Sequence, residues 1–542
     1  MAGQSFDLLV IGGGINGCGV ARDAAGRGLS VLLVEKDDLA QATSSASTKL
    51  FHGGLRYLEY FHFRMVREAL EERETLLRMM PHISWPLRFV LPVTPGLRYA
   101  QDTSSLGRVL AHIPGLAGRR PAWLTRIGLF VYDHLGGREI LPACRGLDLR
   151  THPAGVPLRD RFVKGFEYSD CWVEDSRLVV LNARSAQDHG ATIRTRTRFE
   201  GARRDGGAWK IELTHDGGKR QTVSARAIVN AAGPWARDVL TGGMQRGNRH
   251  GLRLVRGSHI IVRRLFDHDQ PYFLQLEDGR IIFAIPYERD FTLIGTTDVD
   301  HEGDAGAAAC SDAERDYLIS AAGSFFRNGI SRDDIVTTFS GVRPLYDDGA
   351  DSASAATRDY VLTCEDEDGA AALVNVFGGK ITTFRELAER GMHKLKKFFP
   401  GMGGDWTETT PLPGGDFTCL DELLVQLKEK ISDISDEVAL RLVRAYGTKL
   451  FSFTGTASCM ADLGEQLGCG LSEAELCYLM AHEYALSAED ILKRRSKLYL
   501  HLSPAQKDKL KSWLSAEQDK RPASQTLNQP AKTARQRSEQ NR

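Results

Sequence analysis

Two short apolar runs near the start of the chain flank a glycine-rich turn and a stretch of small residues. Residues 8–11 (LLVI) and 31–34 (VLLV) are apolar throughout, which predicts two buried, parallel strands. Between them, residues 15–26 are rich in glycine and alanine and predict a slim helix. Strand, helix and strand in this order predict a βαβ unit and therefore an α/β fold.

Helical periodicity recurs at several places further along the chain. The spacing of apolar residues predicts helices over 57–80 and 175–190, and a short apolar segment occupies 126–135. A buried strand at 373–377 leads through two glycines into a helix predicted over 382–399. These helices would cover the faces of a parallel sheet.

The middle and the end of the chain have different patterns. Alternating apolar and polar residues with frequent turns at 251–298 predict a mostly antiparallel sheet over a ligand. After a Pro- and Gly-rich linker at 411–415, the pattern is helical to about residue 517. Residues 519–542 are polar and almost free of apolar side chains, so we expect this tail to be disordered.

The glycine-rich turn carries the first chemical signal. Gly12, Gly14 and Gly17 have the G-x-G-x-x-G spacing, which permits a tight turn, a close backbone approach to a pyrophosphate and close packing of helix on strand. Glu35 ends the second strand, where it would accept a hydrogen bond from a ribose hydroxyl. The pattern predicts dinucleotide binding, but by itself it does not distinguish NAD from FAD.

Composition and charge exclude several classes of protein. The 542 residues contain 70 basic and 70 acidic residues, so no overall positive field would recruit nucleic acid. The nine cysteines are scattered without a C-x-x-C pair, which indicates free thiols in a reducing compartment and no metal site. We see no targeting segment and no apolar run of the roughly 18–20 residues that span a bilayer, so we expect any membrane contact to be peripheral.

Three further segments carry candidate chemistry. At 378–383 (GGKITT) a strand again runs through glycines into a helix N-terminus, which can stabilise the negative charge of a reduced flavin ring, although an ordinary turn has the same local pattern. Arg56, Arg343 and Lys380 lie beside rigid, glycine-containing backbone and would bind a phosphorylated substrate, although a single arginine is more often in a surface salt bridge. His259 opens a strand of the predicted sheet and is a candidate acid or base, or else a structural histidine.

Together these segments identify a resemblance that covers most of the chain. The sequence resembles the FAD-dependent (aerobic, respiratory) glycerol-3-phosphate dehydrogenases of the glycine/D-amino-acid oxidase-like superfamily over residues 6–415, and its C-terminal region resembles the helical cap of that family. The matching runs are IGGGINGCGVARDAAGRGLSVLLVE, ATSSASTKLFHGGLRYLEY, GLFVYDHLG, GFEYSDCWVEDSRLV, NAAGPWA, RGSHIIV, IIFAIPYERDFTLIGTTDV, SRDDIVTTFSGVRPL and FGGKITTFRELAE.

The resemblance implies FAD as cofactor and a particular architecture. That architecture is α/β, with a Rossmann-like, discontinuous FAD-binding domain of the oxidase type, a mostly antiparallel substrate-binding sheet and a C-terminal helical cap domain. The implied division assigns 1–85, 165–235 and 335–400 to FAD binding, 86–164 and 236–334 to the substrate-binding or cap region, 405–518 to the helical domain and 519–542 to the tail.

The resemblance also implies the site residues. Substrate would contact Arg56, Tyr57, His259, Arg343 and Lys380, of which Arg343, His259 and Lys380 are the expected catalytic residues. The residues expected to bind FAD are Gly12, Gly13, Gly14, Ile15, Asn16, Gly17, Glu35, Lys36, Ser44, Ser45, Lys49, His52, Gly53, Gly54, Ala232, Gly233, Gly378, Gly379, Lys380, Ile381 and Thr382.

The implied reaction oxidises sn-glycerol 3-phosphate to dihydroxyacetone phosphate, with hydride transfer from C2 to FAD. The acceptor of the C2 hydroxyl proton stays open among His259, a water bound by Arg343 and direct loss to solvent. In this family the electrons pass to membrane ubiquinone or menaquinone. The alternatives are an oxidase that reduces oxygen to peroxide, an oxidase of an amine or 2-hydroxy acid, and a catalytically silent flavoprotein.

Two segments depart from the family pattern, an insertion between Pro95 and Pro121 and a long tail after about Ser515. In the insertion, basic and apolar residues are interleaved, and Leu106, Val109, Leu110 and Ile113 have helical spacing. They predict a short amphipathic helix that lies in the lipid headgroup layer or else packs on the core. We expect a cytoplasmic homodimer that binds peripherally to the inner face of the cell membrane, with lipid contact through this segment and Trp123.

Overall fold

The computed structural model describes residues 4–94, 122–244, 251–277, 280–347 and 359–520. The predicted short amphipathic helix around Leu106–Ile113 and residues 521–542 of the tail lie outside the described residues. Within the described chain the strands are β1 Ser5–Ile11, β2 Val31–Val34, β3 Leu50–Phe51, β4 Ser84–Pro92, β5 Arg145–Asp148, β6 Lys164–Val173, β7 Thr192–Arg194, β8 Thr197–Asp205, β9 Ala208–His215, β10 Arg220–Asn230, β11 Leu252–Arg263, β12 Tyr272–Gln275, β13 Ile281–Tyr287, β14 Phe291–Gly295, β15 Val299–Asp300, β16 Ile335–Tyr346, β17 Val361–Glu367 and β18 Ala370–Phe377.

The α-helices of five or more residues in the same part of the chain are α1 Ile15–Gly26, α2 Phe63–Met79, α3 Ala122–Leu135, α4 Asp175–Asp188, α5 Asp312–Gly323, α6 Phe384–Leu395, α7 Leu420–Lys430, α8 Asp436–Tyr446, α9 Leu450–Thr454, α10 Glu473–His482 and α11 Pro504–Lys520. The last of these runs two residues into the predicted tail.

The first sheet contains the predicted βαβ unit. Its strand order is β17-β18-β10-β1-β2-β7, with β9 on β10 and β8 on β9. The central strands β18, β10, β1, β2 and β7 are parallel. Leu8, Leu9 and Val10 are completely buried because helices pack on one face of this sheet and β8 and β9 turn over the other. The parallel core is the pattern that uniformly apolar strands predict.

The second sheet is the antiparallel one that the alternation at 251–298 predicts. Its order is β15-β11-β14-β13-β12-β4-β6-β3, with β16 on β11 and β5 on β6, and only the β12–β4 pair is parallel. Helix α5 packs on one face, while α3 and α2 close the other. The predicted fold class, α/β with a mostly antiparallel second sheet and a C-terminal helical region, is confirmed.

One detail differs from the sequence expectation. The helix predicted over 57–80 begins at Phe63, because the short 3-10 helix Leu55–Tyr60 is followed by Phe61, whose φ of +61° no α-helix can contain. The predicted domain division stays a prediction. Each of the three ranges assigned to FAD binding includes residues of the second sheet, namely β3 in 1–85, most of β6 in 165–235 and β16 in 335–400.

The C-terminal helices form their own apolar core, from Leu423 to Leu514, and join the rest of the chain through buried ion pairs. Asp38 is completely buried and accepts hydrogen bonds from Arg494 at 2.6 Å and from Arg495 at 2.7 and 2.8 Å. Arg177 on α4 pairs in the same way with Glu483. Because an unpaired buried charge is costly, these pairs fix how the helical region sits on the first sheet.

All nine cysteines are free thiols. Among the described residues, no group of three or more His, Cys, Asp or Glu side chains is arranged to hold a metal ion. None of the described helices is both long and apolar enough to cross a membrane.

Candidate active site

The glycine-rich turn between β1 and α1 leaves no room for a side chain at two of its three motif glycines. Gly12 has φ +109°, and a Cβ there would lie 2.5 Å from the carbonyl oxygen of Ala231 at the end of β10. A Cβ on Gly17 would lie 1.9 Å from the carbonyl oxygen of Gly12. Gly14 is different, since a Cβ there would meet only the Ser44 hydroxyl, at 3.1 Å. The first and third glycines therefore shape the turn, and the second leaves its outer face open.

Glu35 supports this turn directly. Its carboxylate accepts hydrogen bonds from the Gly13 amide at 2.7 Å and from the Asp37 amide at 2.9 Å. Burial raises the pKa of Glu35, although the two backbone donors oppose that shift. Glu35 thus orders the backbone beside the expected ribose position, a contact that the motif alone does not reveal. Lys36 next to it stacks its ammonium group 4.6 Å from the ring centre of Trp235.

A cavity of about 500 Å³ runs from the glycine-rich turn to the glycines after β18. At its far end the Asn16 side-chain amide donates to the Gly378 carbonyl at 3.2 Å, while the buried Asn16 Oδ1 has no hydrogen-bond partner among the described residues. The expected FAD-binding residues that line this cavity are Gly12, Gly13, Gly14, Ile15, Asn16, Glu35, Lys36, Ser44, Ala232, Gly233, Gly378 and Gly379.

Lys49 and Ser45 line a second cavity, of about 450 Å³, which adjoins the first through Lys36 to Thr43. The buried Lys49 ammonium donates to both carboxylate oxygens of Asp175, at 2.8 and 2.9 Å, and to the Ser45 carbonyl at 3.1 Å. Lys497 of the C-terminal region donates to Ser176 at 2.9 Å and lies 3.7 Å from Asp175. Burial would raise the pKa of Asp175, but the two lysines outweigh it and hold that pKa below its usual range. The charge of Lys49 is therefore already paired with a carboxylate.

The turn His52–Gly53–Gly54 joins three parts of the site. The His52 amide donates to Thr382 Oγ1 at 3.3 Å, and the Gly53 amide donates to the Tyr132 hydroxyl at 2.8 Å. A Cβ on Gly54 would lie 2.3 Å from the Tyr57 ring and 3.5 Å from Lys380 Nζ. That ammonium group lies 4.1 Å from the centre of the Tyr57 ring. Ile381 and Thr382 follow in a short 3-10 helix that leads into α6. Arg56 lies half-buried in the 3-10 helix after the turn.

Strand β16 of the second sheet brings Arg343 to the same region. Arg343 is paired with Asp298 and donates to Thr296 Oγ1 at 3.1 Å. The Thr43 hydroxyl donates to the Val342 carbonyl at 2.6 Å, which joins this strand to the loop that lines the first cavity. A Cβ on Gly378 would lie 3.7 Å from the Pro344 carbonyl oxygen. Arg343 therefore lies where the two sheets meet.

His259 lies on β11 and is buried. Its ring stacks on Phe339 with centroids 4.7 Å apart, and Nε2 is 3.0 Å from the Thr48 hydroxyl. Burial, with the charges of Arg343 and Lys49, lowers the pKa of His259 to about 3. Its Nδ1 has no hydrogen-bond partner in the part of the chain that the structure describes. The imidazole is therefore neutral at physiological pH.

Comparison with known proteins identifies the fold and its cofactor. A model of the FAD dependent oxidoreductase family matches residues 7–385, and a model of the C-terminal domain of alpha-glycerophosphate oxidase matches residues 406–512. The chain is 49% identical over 520 residues to a glycerol-3-phosphate dehydrogenase of Pseudomonas aeruginosa, covering 96% of this chain and 97% of the relative. It is an FAD-dependent oxidoreductase of the glycerol-3-phosphate dehydrogenase family.

The relatives differ in the substrate that their names give. The chain is 52% identical over 513 residues to a D-erythritol 1-phosphate dehydrogenase of Brucella abortus, covering 94% of this chain and 98% of the relative. The structure of the glycerol-3-phosphate dehydrogenase from Bacillus halodurans complexed with FAD aligns with a TM-score of 0.68 and 25% identity, covering 95% of this chain and 90% of that one. The family and the bound FAD of this neighbour establish FAD as the cofactor.

The site residues present fit FAD. The first cavity has bare glycine backbone at Gly14, the N-terminus of α1 at one end and glycines at the other, which suits a pyrophosphate and an extended dinucleotide. The chain belongs to this family, but the role of each individual residue stays a prediction.

Sequence reasoning missed several residues that hold this site together. Tyr132 and Asp170 lie in segments that match the family, yet nothing in the sequence pairs them with the turn at 52–54. The same is true of Asp175, which accepts a hydrogen bond from Lys49, and of Asp298, which accepts one from Arg343. Only the folded chain brings together partners so far apart in sequence.

Proposed function

We propose that the protein oxidises sn-glycerol 3-phosphate at C2 to dihydroxyacetone phosphate. One observation supports this substrate above the others: the two sheets each bring a basic side chain towards the same part of the molecule. Lys380 follows β18 and lies near Tyr57 after the turn at 52–54, while Arg343 lies on β16, where the carbonyl of the next residue, Pro344, approaches Gly378. A substrate with a phosphate dianion needs such a cluster, whereas an amine or a 2-hydroxy acid does not.

The chain's own groups bind and orient the substrate in this proposal. Arg343 presents its planar guanidinium, held in place by Asp298, while Lys380 and Arg56 add positive charge and Tyr57 packs against Lys380. FAD, when bound, supplies the acceptor for the hydride from C2. Positioning of the C2–H bond and a cationic site that excludes water would supply much of the rate.

The low pKa of His259 bears on the question of the proton. An imidazole with a pKa of about 3 binds a proton only weakly and is therefore a poor proton acceptor. We therefore assign the C2 hydroxyl proton to solvent, directly or through a water at Arg343. His259 would act as a neutral hydrogen-bonding group that Thr48 and Phe339 hold in position.

A second substrate has a specific observation in its favour. A relative with 52% identity over nearly the whole chain is a D-erythritol 1-phosphate dehydrogenase. That polyol phosphate shares the terminal phosphate and the secondary hydroxyl on the next carbon, and it is one CHOH unit longer. The same cations would bind it, so the choice depends on space at the end away from the phosphate.

The experiment is a substrate titration of the purified holoenzyme without oxygen. Glycerol 3-phosphate should bleach the flavin band near about 450 nm, and its kcat/KM with a quinone analogue should exceed that of erythritol 1-phosphate by at least tenfold. Free glycerol should be a very poor substrate. A reversed order of kcat/KM would make erythritol 1-phosphate the substrate, and no bleaching by either phosphate would reject both.

We also propose that the electrons pass to membrane ubiquinone or menaquinone, rather than to oxygen with formation of peroxide. Quinone-analogue reduction and peroxide yield, measured side by side in air, separate the two activities. Peroxide in equal amount to oxidised substrate would make the protein an oxidase.

An exposed apolar stripe on α3 supports peripheral contact with anionic lipid. Trp123, Ile127 and Phe130 are 56%, 50% and 60% exposed and follow one face of the helix, and Arg126 beside them is also exposed. Aromatic residues and arginine suit the interface of a bilayer with anionic headgroups. The homodimer and the location at the inner face of the cell membrane stay predictions.

Vesicle binding tests this stripe. Trp123→Ser with Phe130→Ser should weaken binding to vesicles that contain phosphatidylglycerol at least tenfold and leave activity with a soluble dye unchanged. Val156→Ser, which changes an equally exposed apolar side chain elsewhere, is the matched control. Equal binding by both variants would exclude the α3 stripe as the lipid contact.

A further inference from the structure

We propose that Tyr132 is a positioning residue of the active site, which holds the turn His52–Gly53–Gly54 in place through a single hydroxyl group. Tyr132 lies near the end of α3 and is not among the residues that line the first cavity. Its influence would pass through the backbone of Gly53. The substrate used to test this inference rests on the proposed function. The flavin readouts rest on FAD, which is the established cofactor.

The Tyr132 hydroxyl makes two hydrogen bonds, and each has only one possible direction. It accepts from the Gly53 amide at 2.8 Å and donates to Asp170 Oδ1 at 2.7 Å. Arg73 on α2 donates to the same carboxylate oxygen at 2.7 Å and to the Ser169 carbonyl at 2.7 Å. Because an amide can only donate, the hydroxyl proton must point to Asp170.

All members of this network are buried, so none of these hydrogen bonds is exchanged easily with water. Burial, reinforced by the charge of Asp170, raises the pKa of Tyr132 well above its usual range and keeps the hydroxyl protonated. The network therefore joins α3, β6 and α2 to the turn in one fixed arrangement.

The backbone at Gly53 is closely packed against its neighbours. A Cβ at this position would lie 2.9 Å from the Tyr132 ring and 2.5 Å from the Leu70 side chain. The main chain is thus pressed against the tyrosine on one side, while its amide is bonded to the hydroxyl of that same tyrosine. A displacement of Tyr132 would displace Gly53.

The residues on either side of Gly53, His52 and Gly54, would transmit that displacement to the active site. The His52 amide donates to Thr382 in the segment expected beside the flavin ring, and the Gly54 carbonyl accepts from the Tyr57 amide at 2.9 Å. The Tyr57 ring in turn lies 4.1 Å from Lys380 Nζ. Errors of a few tenths of an ångström in such groups change catalysis more than binding, because the reacting atoms must meet within a narrow range of distance.

The test compares Tyr132→Phe with Tyr272→Phe in the FAD-loaded enzyme. Tyr272 is an equally buried tyrosine of the second sheet, whose hydroxyl donates to the Ala154 carbonyl at 2.6 Å and lies 2.8 Å from His268. Both variants lose one buried hydroxyl, so both should lower the melting temperature. Only Tyr132→Phe should shift the absorption spectrum and reduction potential of the bound flavin, and lower kcat for glycerol 3-phosphate about tenfold with a smaller change in KM.

Hydrogen exchange gives a readout that needs neither substrate nor turnover. The amide of Gly53 should exchange at least tenfold faster in Tyr132→Phe and at the parental rate in Tyr272→Phe. Asp170→Asn leaves an oxygen acceptor for Tyr132 and should shift the flavin spectrum by less in the same direction. If Tyr132→Phe loses only thermal stability, with unchanged flavin potential, kcat and Gly53 exchange, the tyrosine is structural and the proposal is wrong. Failure of the parent to oxidise glycerol 3-phosphate would instead reject the proposed substrate, and the flavin and exchange readouts would still decide the role of Tyr132.

Discussion

The nucleotide end and the substrate end of the active site are built in different ways. The nucleotide end is built around one continuous stretch, residues 12–35, and bare glycine backbone lines much of it. Other segments complete this end with Ser44, Ala232, Gly233, Gly378 and Gly379. The substrate end is assembled from separate segments around Gly54, His259, Arg343 and Lys380, and its side chains are held by distant acidic or polar partners. Backbone chemistry is local, whereas side-chain positioning at the other end depends on both sheets being in place.

This difference predicts that damage at the two ends has different consequences. A change at the nucleotide end should abolish cofactor binding, because there the geometry of the main chain itself is the binding site. A change at the substrate end should leave FAD bound and reduce turnover.

The largest effect is expected from Gly14→Val. The added side chain would occupy the open face of the turn, where the structure has only the Ser44 hydroxyl nearby, so the fold should survive while the pyrophosphate loses its place. The purified variant should contain less than about a tenth of the parental FAD, measured by absorption after denaturation. Gly323→Val is the control, because no atom lies within 4 Å of a Cβ at that helix end. A folded Gly14→Val protein with full FAD would remove the distinction between the two ends.

An intermediate effect is expected from Arg343→Ala. Loss of a charge-assisted, fork-shaped contact to a dianion should lower kcat/KM about 10²–10⁴-fold, while FAD content stays at the parental level. Arg332→Ala removes an exposed arginine that pairs with Asp316 and should leave kcat/KM unchanged. Steady-state kinetics with glycerol 3-phosphate measure both. The contrast fails if Arg343→Ala loses its FAD or keeps the parental kcat/KM.

The smallest effect concerns His259 and acid stability. Its pKa is about 3 in the folded protein and near 6.5 in an unfolded chain, so below pH 6.5 the unfolded chain takes up a proton that the folded one does not. Stability is therefore lost as pH falls from 6.5 towards 3, by about 2 kcal/mol at pH 5. The melting temperature of the parent should fall more between pH 7 and pH 5 than that of His259→Asn. Parallel curves for the two proteins would show that His259 titrates normally.

The same contrast explains what the sequence could predict. The turn at Gly12–Gly17, the strands around it and the antiparallel second sheet follow from local patterns of glycine and apolar residues, and all three are present in the structure. Lys49 shows the limit, because its predicted place beside the flavin rests on a matching segment, while its charge is paired with Asp175, 126 positions further along. Neither the periodicity of apolar residues nor the spacing of a motif reveals an ion pair between residues so far apart in the sequence. The break at Phe61 is equally hidden, since only the φ of +61° reveals why α2 starts late.

The ion pairs between the two ends of the chain have a consequence for how the protein is made. Asp38 lies three positions after Glu35, whereas Arg494 and Arg495, which donate hydrogen bonds to it, lie 456 and 457 positions further along the chain. Lys497, which completes the surroundings of Asp175, comes later still. A ribosome releases the N-terminal βαβ unit first. The buried Asp38 therefore gains these two arginines only late in translation, and a chain truncated before residue 494 would leave Asp38 without them.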